Sequence, residues 1–157
     1  MATTATNKQP LLVDRVFHYV VDTNNAFSAT LDVSGTNQAV LLVNAITTDG
    51  AIVEDLYSIS RGGAAEKINL YLSRADDYLR PNEGVLVGKL VSSATAGDVT
   101  SADWFPKVLA PLPGAGSASQ VSALYIPKGK ALWCTLQLAG PANDATTPII
   151  GAQGGFY

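Results

Sequence analysis

Short runs rich in Val, Ile, Leu, Tyr and Thr recur along the chain, each closed by a turn signal. They read RVFHYVVD, AFSATLDVSG, AVLLVNAITTDG, AIVEDLYSIS, EKINLYLSRA, GVLVGKLVSS, ALYIPKGKALWCTLQLAG and TPIIGAQGGFY. Between them stand Asn24-Asn25, Ser34-Gly35, Asp49-Gly50, Gly62-Gly63, Pro81 to Gly84 and Lys128-Gly129. Several runs alternate with a period of two. Ile68, Leu70 and Leu72 share one face, with Asn69, Tyr71 and Ser73 on the other; Phe27, Ala29, Leu31 and Val33 line up the same way. Asp49-Gly50 has the composition of a type I′ hairpin turn, whose two central residues need positive φ. No long segment carries apolar residues at three-and-four spacing between caps, and SRADDYLRPNEG holds one helical turn at most. No internal repeat is visible. The pattern predicts an all-β chain: an antiparallel β-sandwich, a jelly roll of about eight strands. Residues 1–12, small, polar and closed by Pro10-Leu11-Leu12, read as an extended N-terminal arm, and residues 13–157 as a single domain.

Composition sharpens this picture. At 157 residues the chain has the size of one domain, able to bury about two-thirds of its unfolded surface. Hydrophobic residues make up 47%, which excludes a disordered tail, while charged residues reach only 15%, against about 25% in ordinary soluble domains. A surface so poor in charge suits a β-protein whose outside is partly covered by partners. The net charge of −3 offers no pull toward a phosphate backbone, so no nucleic-acid partner is expected, and the lone Arg61-Gly62-Gly63 reads as a turn. The uncharged run from Val108 to Pro127 is broken by Pro and Gly and does not read as a membrane span. MATTATNKQP has no apolar signal core, so synthesis and folding in a cytosol are expected.

The chemistry-bearing residues are few. In ALWCTLQLAG, Leu132, Cys134, Leu136 and Leu138 fall on one face and Trp133, Thr135 and Gln137 on the other. The single cysteine therefore sits in an apolar stripe, with no cation beside it to favour a thiolate, and reads as a buried structural thiol. Trp133 faces away from that stripe and needs a second sheet or a partner to cover it. The only histidine, His18, alternates with Val16 and Val20 and reads as a hydrogen-bonded strand residue. One Cys and one His do not make an ordinary zinc site, and no cofactor is expected. Glu54 and Asp55 are strand neighbours expected on opposite faces, hence not a proton-sharing dyad. Asp76-Asp77 reads as a solvated loop, and GAGSASQ lacks the Lys-Ser/Thr of a phosphate loop. Neither a G-x-S-x-G elbow nor H-E-x-x-H occurs, and the chain is expected not to be an enzyme. What remains is recognition. Trp104-Phe105-Pro106 sits between turn-like regions as a candidate anchor, the null alternative being a cap over the sandwich's open end. Phe156 and Tyr157 close the chain, either packed in a final strand or reaching a neighbour.

The order DGAIVEDLYSISRG, KINLYLSRADD, GVLVGKLVS, ALYIPKGKALWCTLQLAG and IIGAQGGFY resembles a group of small structural proteins of tailed phages. In that group a Leu-Pro-x-Gly-x-x-Leu turn precedes a closing Gly-Gly-aromatic-Tyr. Here the turn is Ile126-Pro127-Lys128-Gly129-Lys130-Ala131-Leu132 and the close is Gly154-Gly155-Phe156-Tyr157, over roughly residues 36–157. The insert SADWFPKVLAPLPGAGSAS and the N-terminal arm depart from the pattern. The resemblance implies a capsid decoration, or cement, protein on the virion surface: a homo-oligomer, commonly a trimer, that bridges major capsid protein subunits. Leu11, Leu12, Trp104, Phe105, Trp133, Phe156 and Tyr157 are the interface residues this implies. A tail, baseplate or fibre component with a receptor- or carbohydrate-binding role is the alternative, and a stand-alone lectin-like or enzymatic sandwich a further one.

Overall fold

A computed structural model describes residues 14–22, 39–74, 84–104, 109–111, 122–136 and 146–157. The arm 1–12, the segment AFSATLDVSG and most of SRADDYLRPNEG, which could hold one helical turn at most, lie outside the described residues. The elements are β1 (Arg15–Asp22), β2 (Val40–Asn44), β3 (Gly50–Ile59), β4 (Lys67–Arg74), β5 (Val85–Val91), β6 (Val99–Ser101), β7 (Asp103–Trp104), β8 (Leu109–Pro111), β9 (Ser122–Pro127), β10 (Lys130–Leu136) and β11 (Ile149–Phe156). Among the described residues there is no helix.

The strands form two antiparallel sheets packed as a sandwich. One runs β1-β11-β3-β9-β8, with β6 also on β3; the other runs β2-β10-β4-β5-β7. Without the short β6, β7 and β8, eight strands remain. They are ordered 1-11-3-9 in one sheet and 2-10-4-5 in the other, and β1/β11, β2/β10, β3/β9 and β4/β5 each pair antiparallel. That is the strand order of a jelly roll, the fold the alternation predicted.

The alternation has a plain cause. Leu56, Ile68, Leu70, Leu90, Leu124, Ile126, Leu132, Leu136 and Ile150 are all under 2% exposed and meet between the sheets. Each such side chain contributes about 1.5–3 kcal/mol on burial. Cys134 is fully buried among them. Burial pushes its thiol far above the ordinary range, and a hydrogen bond with the Val40 backbone offsets this only in part.

Two expectations are corrected. Asp49-Gly50 is not a hairpin: β2 pairs with β10 and β3 with β11 and β9, so the turn carries the chain from one sheet to the other. Gly50 does have the positive φ the sequence suggested, at 140°, and a Cβ there would lie 3.0 Å from both the Ile126 carbonyl oxygen and the Tyr125 hydroxyl. The local conformation was legible, but the partner strand was not. Glu54 and Asp55 do not alternate either. Val53 faces Gly154 and Asp55 faces Gln153, so β3 carries one extra residue at this point. Inward positions run Ala51, Val53, then Leu56 and Ser58, all buried, leaving Glu54 and Asp55 together on the side away from the core.

At one end of the sandwich the β3–β4 and β5–β6 connections are locked by serines. Ser60 Oγ donates to the Ser93 carbonyl at 2.6 Å and accepts from Gly62 N–H at 3.1 Å. Ser93 Oγ donates to Asp98 at 2.6 Å, and Ser92 Oγ accepts from Glu66 N–H at 2.9 Å. At the other end, Lys128 Nζ donates to Asp49 at 2.7 Å, and Tyr157 exchanges backbone hydrogen bonds with Asp49 and Gly50. The Lys128 ammonium holds the exposed Asp49 carboxyl below its usual range.

Candidate interaction surface

The two sheets open on one side, where β1 and β2 are neighbouring edge strands. β1 pairs with β11 over eight consecutive residues, Arg15 opposite Phe156 to Asp22 opposite Ile149, without a bulge. Its other edge has no partner among the described residues, and the same holds for β2 beyond β10. Such an edge presents a row of backbone N–H and C=O groups able to pair with another strand. It contains no proline and no lysine, the residues that blunt edges.

Its side chains are unusually apolar for solvent. Val16 is 78% exposed and Val20 56%, both on the sheet's outer face with His18, and Tyr19 is 40% exposed at the rim of the core. Across the opening Leu41 is also exposed, as is Ile46. Between β1 and β2 lies a cleft of about 320 Å³ lined by Arg15, Tyr19, Val20 and Val21, by Leu41, Leu42 and Asn44, by Thr47 and Thr48, and by Phe156. Its two aromatic lining residues both pack on the buried Phe17: Tyr19 is stacked at 5.0 Å and 13°, and Phe156 is tilted at 4.8 Å. The Arg15 guanidinium lies 5.0 Å above the Phe156 ring.

On the outer face next to this edge, Tyr57 of β3 reaches across β11 to β1. Its ring lies on Gly151, where a Cβ would be 2.2 Å from Tyr57 Cζ, and its hydroxyl is hydrogen-bonded to His18 Nε2 at 2.5 Å. Only glycine in the middle strand leaves room for this. His18 is thus the hydrogen-bonded strand histidine that its alternation suggested. Gln153 faces both His18 and Asp55 in register, and Arg61 anchors the far end of β1 through Asp22 at 2.6 Å.

The residues singled out from the sequence fall in three places. Leu11, Leu12 and Phe105 lie outside the described residues, and Trp104 enters β7 through backbone pairing with Gly88. Trp133 and Phe156 are each 3% exposed and so are packing groups of the chain itself, not surface anchors. Trp133 faces away from the main core, as the sequence implied, and packs against Ala39, Ala131 and Tyr71. Its Nε1 and the nearby Ser73 Oγ are buried with no hydrogen-bond partner among the described residues. Tyr157 is half-buried beside Tyr125, ring centroids 6.2 Å apart. Sequence reasoning did not single out Val16, Tyr19, Val20 or Leu41. Their apolar character reads as core until the topology shows that β1 and β2 are edges.

Among the described residues no three His, Cys, Asp or Glu side chains gather as a metal cluster, and no helix is long and apolar enough to cross a membrane. Comparisons with protein families, curated proteins and solved structures find no match to this chain. The fold and this surface therefore carry the functional argument.

Proposed function

We propose that this chain is a non-enzymatic structural protein of a tailed-phage virion, a homo-oligomer, most simply a trimer, that decorates the capsid and stabilises it by bridging major capsid protein subunits. The supporting observation is the pair of edge strands, unpaired on their outer side among the described residues, that bear exposed Val16, Tyr19, Val20 and Leu41. Large apolar side chains exposed along an edge that can pair with another strand mark a site of association. A jelly roll is a fold shared by capsid and lectin domains, so the fold is compatible with this role by analogy and the edge surface gives the analogy a place to act. Low charge and a rigid, serine-locked sandwich suit a part whose work is to hold contacts under load.

The test is the copy number of the chain in purified particles, measured by quantitative peptide mass spectrometry against the major capsid protein. A ratio near one, or a simple fraction such as one third or two thirds, is expected. A ratio far below these assigns the chain to a tail, baseplate or fibre and overturns the decoration reading, and absence from particles overturns the virion reading altogether.

A further inference from the structure

The cleft between β1 and β2 is not uniform along its length. Arg15 opens β1 opposite Phe156, and Asn44 ends β2 just before Thr47 and Thr48 of the connection whose neighbour Asp49 bonds to Tyr157, so these groups share one end. Val20, Val21 and Leu41 line the other end, where β1 finishes and β2 begins. Among the described residues that line the cleft, Arg15 is the only charged one. Arg15 has no ion-pair partner among the described residues. Its Cζ lies over the Phe156 ring, and a guanidinium suits a carboxylate because its N–H donors can bind both oxygens. Asn44 Oδ1 accepts from Ile46 N–H at 2.9 Å, which orients the amide and leaves its NH₂ donors for a ligand. The nearby acid Asp49 is held by Lys128, and Asp14, exposed, precedes Arg15 outside the lining. Beside all this runs the backbone edge of β1, which has no partner among the described residues.

We infer that the cleft takes the C-terminal end of an extended peptide. The peptide adds as a strand to the free edge of β1, its apolar side chains rest on Val20, Val21 and Leu41, and its terminal carboxylate is received by Arg15 with Asn44 and the threonines. Main-chain pairing gives such a site its grip, and the apolar pockets and the carboxylate give it direction. The charge complementarity selects a strand that ends there over one that passes through. This deepens the reading above, since it names the kind of partner segment the edge surface holds; peptide binding and shell copy number are measured separately and can fail separately.

The experiment is selection of the full chain against a random octapeptide library displayed with free C-termini, followed by titration of the enriched peptide as its acid and as its C-terminal amide. Enrichment of peptides with apolar residues at alternating positions is expected. The acid should bind about tenfold or more tightly than the amide, the scale of one charge-assisted hydrogen-bonded pair. R15Q should abolish that acid-over-amide preference while R15K retains part of it, and backbone amide shifts should centre on Tyr19, Val20 and Leu41. Circular dichroism of both variants checks the fold. The inference is overturned if no peptide is enriched, if acid and amide bind equally to the native chain, or if the preference survives R15Q. It is also overturned if the cleft is filled by a second copy, seen as self-association that V20K abolishes.

Discussion

Tyr57 and Trp133 occupy equivalent stations in the two sheets. Each is an aromatic residue on a central strand, pointing away from the core. Yet Tyr57 lies half open on a glycine with its hydroxyl bonded to an exposed histidine, while Trp133 is 3% exposed with its indole N–H unpaired among the described residues. Pointing outward on a strand therefore says nothing about exposure. What decides is the neighbour: Gly151 provides a bed that leaves the ring at the surface, whereas Ala39, Ala131 and Tyr71 close around the indole as a second small core. The first arrangement ties three strands together laterally; the second works by burial.

The comparison is broken most forcefully at Trp133. W133A should destabilise the fold by about 3–5 kcal/mol through cavity formation. W133F keeps most of the ring and removes the unpaired N–H, so it should cost under about 1.5 kcal/mol. Urea denaturation of both variants checks this. Equal losses would mean that the indole N–H is satisfied and carries the stabilisation.

Glycine substitutions test the Tyr57 side. A Cβ at Gly154 would lie 1.9 Å from the Ile52 carbonyl oxygen, which is backbone and cannot swing aside, whereas at Gly151 it meets the ring of Tyr57, which can. G154A should therefore cost about 3 kcal/mol and G151A about 1–2. In a Y57A background the cost of G151A should fall nearly to zero, the signature of a shared contact. A G151A cost unchanged by Y57A would place the strain in the backbone of β11. Smaller still is Y57F, which removes the bond to His18 at an exposed site and should cost no more than about 1 kcal/mol by thermal unfolding.

How much of this the sequence made legible depends on range. β-rich runs between turn signals located β1, β4 and β11 within a residue or two, and Leu132, Cys134 and Leu136 declared their core face because burial acts on each side chain separately. Pairing is a property of strands far apart in the chain, so Asp49-Gly50 displayed its turn without revealing that it joins two sheets. The extra residue at Glu54-Asp55 broke an alternation that a shorter window cannot question. Short β6, β7 and β8 left no signal, being two or three residues each in a polar, proline-bearing stretch. The interaction surface was hardest to read. Val16 and Val20 carry the same apolar signature as a core strand, and their place on the outer face of an edge strand makes them surface.

Tyr157 is the intermediate case between the two aromatics, and it yields the smallest expected effect. Its ring is half covered, and its hydroxyl is pushed above the ordinary tyrosine range, first by burial and then by the neighbouring Tyr125 and Glu54. An acid whose folded-state pKa exceeds its unfolded value keeps its proton more firmly when folded. The associated stability is present at neutral pH, below the unfolded value, and is lost as pH rises through about 10 and beyond. The loss should be small, because solvent reaches the ring and screens it. Denaturation midpoints at pH 8, 9.5 and 11 should decline for the native chain and decline less steeply for Y157F. An identical alkaline decline in Y157F would show that the half-covered ring behaves like an exposed one, and that Trp133-like burial is needed before an outward aromatic senses the protein interior.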